Sequence, residues 1–144
     1  MSDDSLPAAP PPAAILEAAL YVDDLDTAAR FYGGVLGLEE IARVEGRHIF
    51  YRTGDTVLLV FNPDATAQGP SNPRLPVPPH GAHGPGHLCF TASRAEMDAW
   101  SARLDAAGHP IEADFDWPNG ARSIYFRDPA GNSLEMAERR LWFG

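Results

Sequence analysis

The chain has 144 residues, 44% of them hydrophobic, which is enough for one domain with a real core. Its net charge of −9 argues against nonspecific nucleic-acid binding, and no apolar run approaches the roughly 20 residues of a membrane span. All 11 basic residues are arginine, which excludes lysine Schiff-base and lysine-nucleophile mechanisms, and the single cysteine, Cys89, excludes an intrachain disulfide framework.

Residues 1–13 are acidic and then proline-rich, too poor in large apolar groups to pack, and are expected to form a disordered arm. They lack the basic and long apolar regions of a signal peptide, so a cytoplasmic location is the default expectation. Residues 15–22 read as a strand with Ala18, Leu20 and Val22 on one face and Glu17, Ala19 and Tyr21 on the other. A helix follows, capped by Asp26, with Ala28, Phe31 and Val35 as its stripe and Gly37 at its end. Gly33 and Gly34 each weaken it by about 1 kcal/mol relative to alanine. Strands are expected near 39–45, 47–53 and 56–62, which completes a module over 14–62.

A Pro/Gly/His segment, 63–85, lacks periodicity and reads as a linker or functional loop. The pattern then restarts over 86–140. A strand at 86–92 leads to a helix opened by the capping box Ser93–Arg94–Ala95–Glu96, with Met97, Trp100 and Leu104 at core spacing and Gly108 as its stop. Strands near 111–117, 122–127 and 133–138 complete it. The last two flank the turn Asp128–Pro129–Ala130–Gly131–Asn132, where proline presets φ and glycine supplies a positive φ, so they pair as a hairpin. The expected fold is therefore α+β, a single domain over 14–140. Two βαβββ modules form a curved mixed sheet around a cleft, with helices on the outer face.

On three strands a polar side chain lies on the face that does not feed the helix-packed core: Glu17, His87 (with Cys89 and Thr91) and Glu135. Taken singly, a strand glutamate is more often solvated and a strand histidine more often structural. Their matching positions in two repeated units join them. If the strands line one cleft, one nitrogen and two oxygen ligands converge and leave open positions for water and substrate. His80 and His83, in the run His80–Gly81–Ala82–His83–Gly84–Pro85–Gly86–His87, are loop candidates for an acid or base over the cleft. His48, Arg52, Trp117, Arg122 and Tyr125 are candidates for gripping substrate. Cys89 reads as a buried spectator.

Glu17–Ala18–Ala19–Leu20–Tyr21–Val22–Asp23–Asp24–Leu25–Asp26, Phe31–Tyr32 and Leu36–Gly37–Leu38 resemble the first module of the vicinal oxygen chelate superfamily. Gly86–His87–Leu88–Cys89–Phe90 and Phe126–Arg127–Asp128–Pro129–Ala130–Gly131–Asn132–Ser133–Leu134–Glu135–Met136 resemble its second. That superfamily holds glyoxalase I, extradiol dioxygenases, fosfomycin-resistance enzymes and bleomycin-resistance proteins. The resemblance implies paired βαβββ modules, one divalent metal (Mn, Fe, Ni, Zn or Mg) on Glu17, His87 and Glu135, and a small substrate chelated through vicinal oxygens. It also implies Glu17 or Glu135 as a proton carrier and a homodimer. Glu17 stands where the family usually has histidine or glutamine. The strand at 57–61 lacks the further glutamate of glyoxalase I, so a three-ligand centre is what the resemblance implies. The alternative of another class is a metal-free protein that sequesters a cationic drug, as bleomycin-resistance proteins do; the −9 charge favours it.

Overall fold

The computed structural model describes residues 5–70 and 72–144, so the first four residues of the expected arm lie outside the described residues. Residues 5–16 carry no helix or strand and are exposed throughout. Among the described residues eight strands follow: β1 (Glu17–Tyr21), β2 (Glu39–Val44), β3 (His48–Thr53), β4 (Thr56–Phe61), β5 (His87–Thr91), β6 (Ala113–Asp116), β7 (Arg122–Arg127) and β8 (Ser133–Ala137). Among the described residues three α-helices intervene, α1 (Leu25–Ala29), α2 (Pro63–Thr66) and α3 (Arg94–Ala106), with a π-helical turn at Arg30–Val35 and a 3-10 turn at Arg139–Leu141. The strands make two four-stranded mixed sheets of the same design, β1-β4-β3-β2 and β5-β8-β7-β6. In each, the first strand runs parallel to the last and the others pair antiparallel. This is the α+β architecture of paired βαβββ modules that the repeated pattern predicts.

Alternation along the strands sets two faces. Leu20, Ile49, Tyr51, Leu58 and Val60 of the first sheet, and Ile124, Phe126, Leu134 and Met136 of the second, join Phe31, Tyr32, Met97 and Leu104 in one buried cluster under the helices. The opposite faces of both sheets are left for clefts. One apolar cluster therefore spans both modules and fixes where the clefts lie.

The first helix differs from its expectation. Asp24, not Asp26, is the N-cap, accepting from the amides of Asp26 and Thr27. After Ala29 the chain widens into a π-helical turn over Arg30–Val35, which contains Gly33 and Gly34, and Gly37 then ends it with φ of 72°. Arg103 of α3 reaches across to donate to the carbonyls of Val35 (2.8 Å) and Gly34 (3.2 Å). The frayed helix end is thus satisfied from the other module. On α3, Ser93 and Glu96 form the capping box that the sequence announces.

The hairpin turn carries more than its own reversal. Asp128 Oδ1 accepts from the amides of Ala130 and Asn132, while Oδ2 accepts from Tyr32 Oη at 2.6 Å and from Asn132 Nδ2. Asn132 Nδ2 also donates to the Tyr21 carbonyl, and Asn132 Oδ1 accepts from the Gly86 amide. This buried polar knot ties β1, the π-turn, β5 and β8 together where the modules meet.

The segment 63–85 is a strap with anchors. Asn62 caps α2, the His80 amide donates to the Thr66 carbonyl, and Gly81 passes so close that a Cβ there would sit 2.8 Å from the Pro63 carbonyl oxygen. Among the described residues no helix is long and apolar enough to cross a membrane.

Candidate functional site

β5 and β8 run parallel with His87 opposite Ser133 and Cys89 opposite Glu135, which places His87 and Glu135 diagonally on one face. Glu135 Oε1 lies 3.3 Å from His87 Nε2; the carboxylate is buried and the imidazole half-exposed. His87 Nδ1 sits 2.9 Å from the Ser133 carbonyl oxygen. A carbonyl only accepts, so Nδ1 carries a proton and Nε2 is the ring atom turned toward the carboxylate. Glu135 Oε2 is held by the Ser123 hydroxyl at 2.6 Å, and Ser123 Oγ accepts from Trp117 Nε1 at 2.7 Å. Both side chains are therefore oriented by outer partners, the arrangement that metal-ligating His and Glu need. By this donor chemistry the pair fits a divalent cation.

Tyr125 lies across the same face, its ring 6.1 Å from His87 and nearly parallel to it, with Phe115 stacked on its other side. Burial, with the Glu135 carboxylate beside it, pushes the Tyr125 hydroxyl up to about 12. Desolvation of the sulfur itself, then the Glu135 carboxylate, push the Cys89 thiol up to about 12, so it stays protonated, although the residue as a whole is exposed rather than the buried spectator expected.

Glu17 occupies another cleft. It lines a cavity of about 460 Å³ on the first sheet with Arg47, His48, Phe50, Leu59, Phe61 and His80. Among the described residues no three His, Cys, Asp or Glu side chains gather as one metal-binding group. A single chain thus brings together His87 and Glu135, and sets Glu17 in the neighbouring module.

The remaining sequence candidates separate by face. His80 bonds the Tyr21 hydroxyl through Nδ1 at 2.7 Å, and His48 accepts from Arg47 Nη1 at 2.6 Å, both in the first-module cavity. Burial, then the Arg47 charge, holds His48 below the usual histidine range. Trp117 and Tyr125 belong to the His87 face. Arg52 is exposed and pairs with Glu39, and His83 is exposed and pairs with Asp64. Arg122 turns the other way: β7 alternation puts it on the helix side, where Asp114 and Asp98 hold it at 2.8 and 2.7 Å. Its guanidinium is committed to these pairs and does not face the cleft. Ser123 and Tyr21 were not singled out in the sequence, although each shares its strand parity with a residue that was, Tyr125 and Glu17. Arg47 sits in a turn and gave no such signal.

Residues 14–136 match the family model described as the Glyoxalase/Bleomycin resistance protein/Dioxygenase superfamily. The chain belongs to this superfamily. Its structure is similar to that described as lactoylglutathione lyase from Agrobacterium tumefaciens, at 47% identity and a TM-score of 0.86, covering 92% of this chain and 98% of that one. A glyoxalase/bleomycin resistance protein/dioxygenase from Nocardioides shares the superfamily fold at 23% identity and a TM-score of 0.69, covering 92% and 86%. The fosfomycin resistance protein FosX from Mesorhizobium loti shares it at 20% identity and 0.59, covering 88% and 91%. No curated protein matches the chain.

Proposed function

We propose that this superfamily member is a divalent-metal-dependent enzyme that binds a small substrate through two neighbouring oxygens. The ligands are His87 and Glu135 of one copy and Glu17 of a second, in a homodimer. The observation that carries the reading is the convergence of His87 Nε2 and Glu135 Oε1 at 3.3 Å, each oriented by an outer hydrogen bond. The metal, when bound, supplies Lewis-acid polarisation of the substrate oxygens.

The chain's own residues do the rest. The Ser133 carbonyl holds the His87 tautomer, and Ser123 holds Glu135 in one rotamer. Glu17, exposed on β1, is the carboxylate placed to take and return a substrate proton. Tyr125, kept protonated, donates a hydrogen bond to charge that develops on substrate oxygen. The 47% identity to a protein described as a lactoylglutathione lyase supports lyase or isomerase chemistry over oxygen insertion. The sequestering alternative has the −9 charge in its favour, but the first-module cavity already holds the Arg47 cation, which disfavours a cationic guest.

Metal binding tests this directly. Wild-type protein is expected to take up stoichiometric Mn(II) or Zn(II) by calorimetry, and His87→Ala and Glu135→Ala each to lose it. Full metal content in both variants would remove the assignment.

A further inference from the structure

The first-module cavity carries recognition chemistry that metal chelation leaves unused. Strands β3 and β4 turn His48, Phe50 and Phe61 into it, and the strap lays His80 against them. His48 lies flat on Phe50, with centroids 4.0 Å apart and planes 11° apart. Phe61 stands edge-on to Phe50 at 5.5 Å and to His80 at 4.7 Å. About 460 Å³ remains between these rings and the strap residues Leu75 and Val77, a volume suited to one small ligand.

The polar groups beside the rings are donors. The Arg47 guanidinium lies 5.5 Å from the Phe61 centroid and, among the described residues, pairs with no carboxylate. A guanidinium only donates, so the His48 Nδ1 that Arg47 contacts is an acceptor. The neutral His48 ring then carries its proton on Nε2, and the described residues give that atom no partner. One fixed cation and one free N–H thus stand at the end of an aromatic slot. In a chain of net charge −9 an anion binds only where such donors are concentrated.

We propose that this cavity is the recognition pocket for a planar aromatic carboxylate. The ring lies on the wall that Phe50, Phe61 and His80 form, facing the strap residues Leu75 and Val77, and the carboxylate sits on Arg47 and His48 Nε2. A cationic aromatic is disfavoured because Arg47 already occupies the Phe61 face. An aliphatic acid leaves the ring faces and edges unmatched. The pocket also has a direction. Glu17 pairs with Val57 at one end of β4 and His48 with Phe61 at the other, four residues or about 13 Å along the strand. The acid end therefore lies far from Glu17, and the ligand's other end points toward it. The proposal rests on the metal reading only for what happens at that other end; the ring and acid bind without metal.

The test is calorimetry on EDTA-treated full-length protein with trans-cinnamate, which has no vicinal oxygens to chelate. Controls are 3-cyclohexylpropanoate and cinnamyltrimethylammonium. Cinnamate is expected to bind about tenfold or more tighter than either control, Arg47→Gln to lose about tenfold, and Phe50→Leu to weaken it further. Arg47→Lys, which keeps the charge and loses the planar fork, is expected to fall between wild type and Arg47→Gln. Equal binding of cinnamate and the controls would overturn the pocket, as would unchanged affinity in folded Arg47→Gln and Phe50→Leu. Mn(II) titration of the same preparations separates the two readings. Cinnamate failing while Mn(II) binds removes the pocket alone; the converse removes the metal centre alone.

Discussion

His48 shows how surroundings fix the charge of one side chain. Burial and the neighbouring Arg47 cation both disfavour its protonated form, so its folded pKa lies below the unfolded value of about 6.5. As pH falls through about 6.5, the unfolded chain takes up a proton that the folded chain refuses, and stability falls. Above that pH the contribution is fully present and flat. His48→Phe keeps the stack on Phe50 and removes the proton. The wild-type-minus-variant stability, measured by urea unfolding, is therefore expected to decline between about pH 6.5 and 5 and to be level from 7 to 8. A difference independent of pH would mean that folding leaves the His48 pKa unshifted. At this scale strand parity was a sound guide: Glu17, His87 and Glu135 all lie on the faces that alternation assigns to the clefts. Arg122 obeys the same rule: its parity with Ile124 and Phe126 already pointed to the helix side, against its choice as a cleft residue. Arg47, in a turn, was illegible, and Ser123 had only its shared parity with Tyr125 to mark it. Their roles come from partners in space, a histidine ring and a diagonal carboxylate, and a lone arginine or serine announces neither.

The elements were readable where local chemistry decides them. Asp128–Pro129–Ala130–Gly131–Asn132 makes the hairpin that its proline and glycine require, and Ser93–Glu96 makes its capping box. Long-range bonds decide the rest. The π-turn depends on Arg103, 68 residues beyond Val35, and the strap over 63–85 depends on Thr66 and Pro63 receiving His80 and Gly81. The hairpin turn likewise belongs to the module junction through Tyr32. Burial and the adjacent Asp128 carboxylate raise the Tyr32 hydroxyl well above the ordinary tyrosine range, so it serves as a donor. Tyr32→Phe fills nearly the same volume and removes only that donor, leaving a buried acceptor short of one bond. The expected loss is about 1–3 kcal/mol of stability in chemical denaturation, with the helix signal in circular dichroism unchanged. A loss below about 0.5 kcal/mol would mean that water replaces the hydroxyl.

At the scale of the whole molecule, the proposed ligands are divided between two clefts of one chain. One holds His87 and Glu135, the other Glu17, and the described residues assemble no three-ligand group within a chain. β1 and β5 are edge strands of their sheets. Large apolar side chains lie exposed at both ends of the chain: Leu16 (73%) just before β1, and Trp142 (80%) and Phe143 (65%), the last two beside β5. Such edges and side chains are what a second copy would cover. In the proposed homodimer each metal site takes Glu17 from one copy and the His87–Glu135 pair from the other. Glu17→Ala and Glu135→Ala homodimers are then each expected to bind no metal tightly. A mixed dimer regains one site, because the Glu135→Ala copy donates its intact Glu17 to the intact pair on the Glu17→Ala copy. The other site of that dimer carries both lesions. Differently tagged variants, unfolded together, refolded and purified through both tags, are expected to recover one metal ion per mixed dimer. If the ligands came instead from a single chain, every site would carry a lesion, and the mixed dimer would stay as empty as its parents.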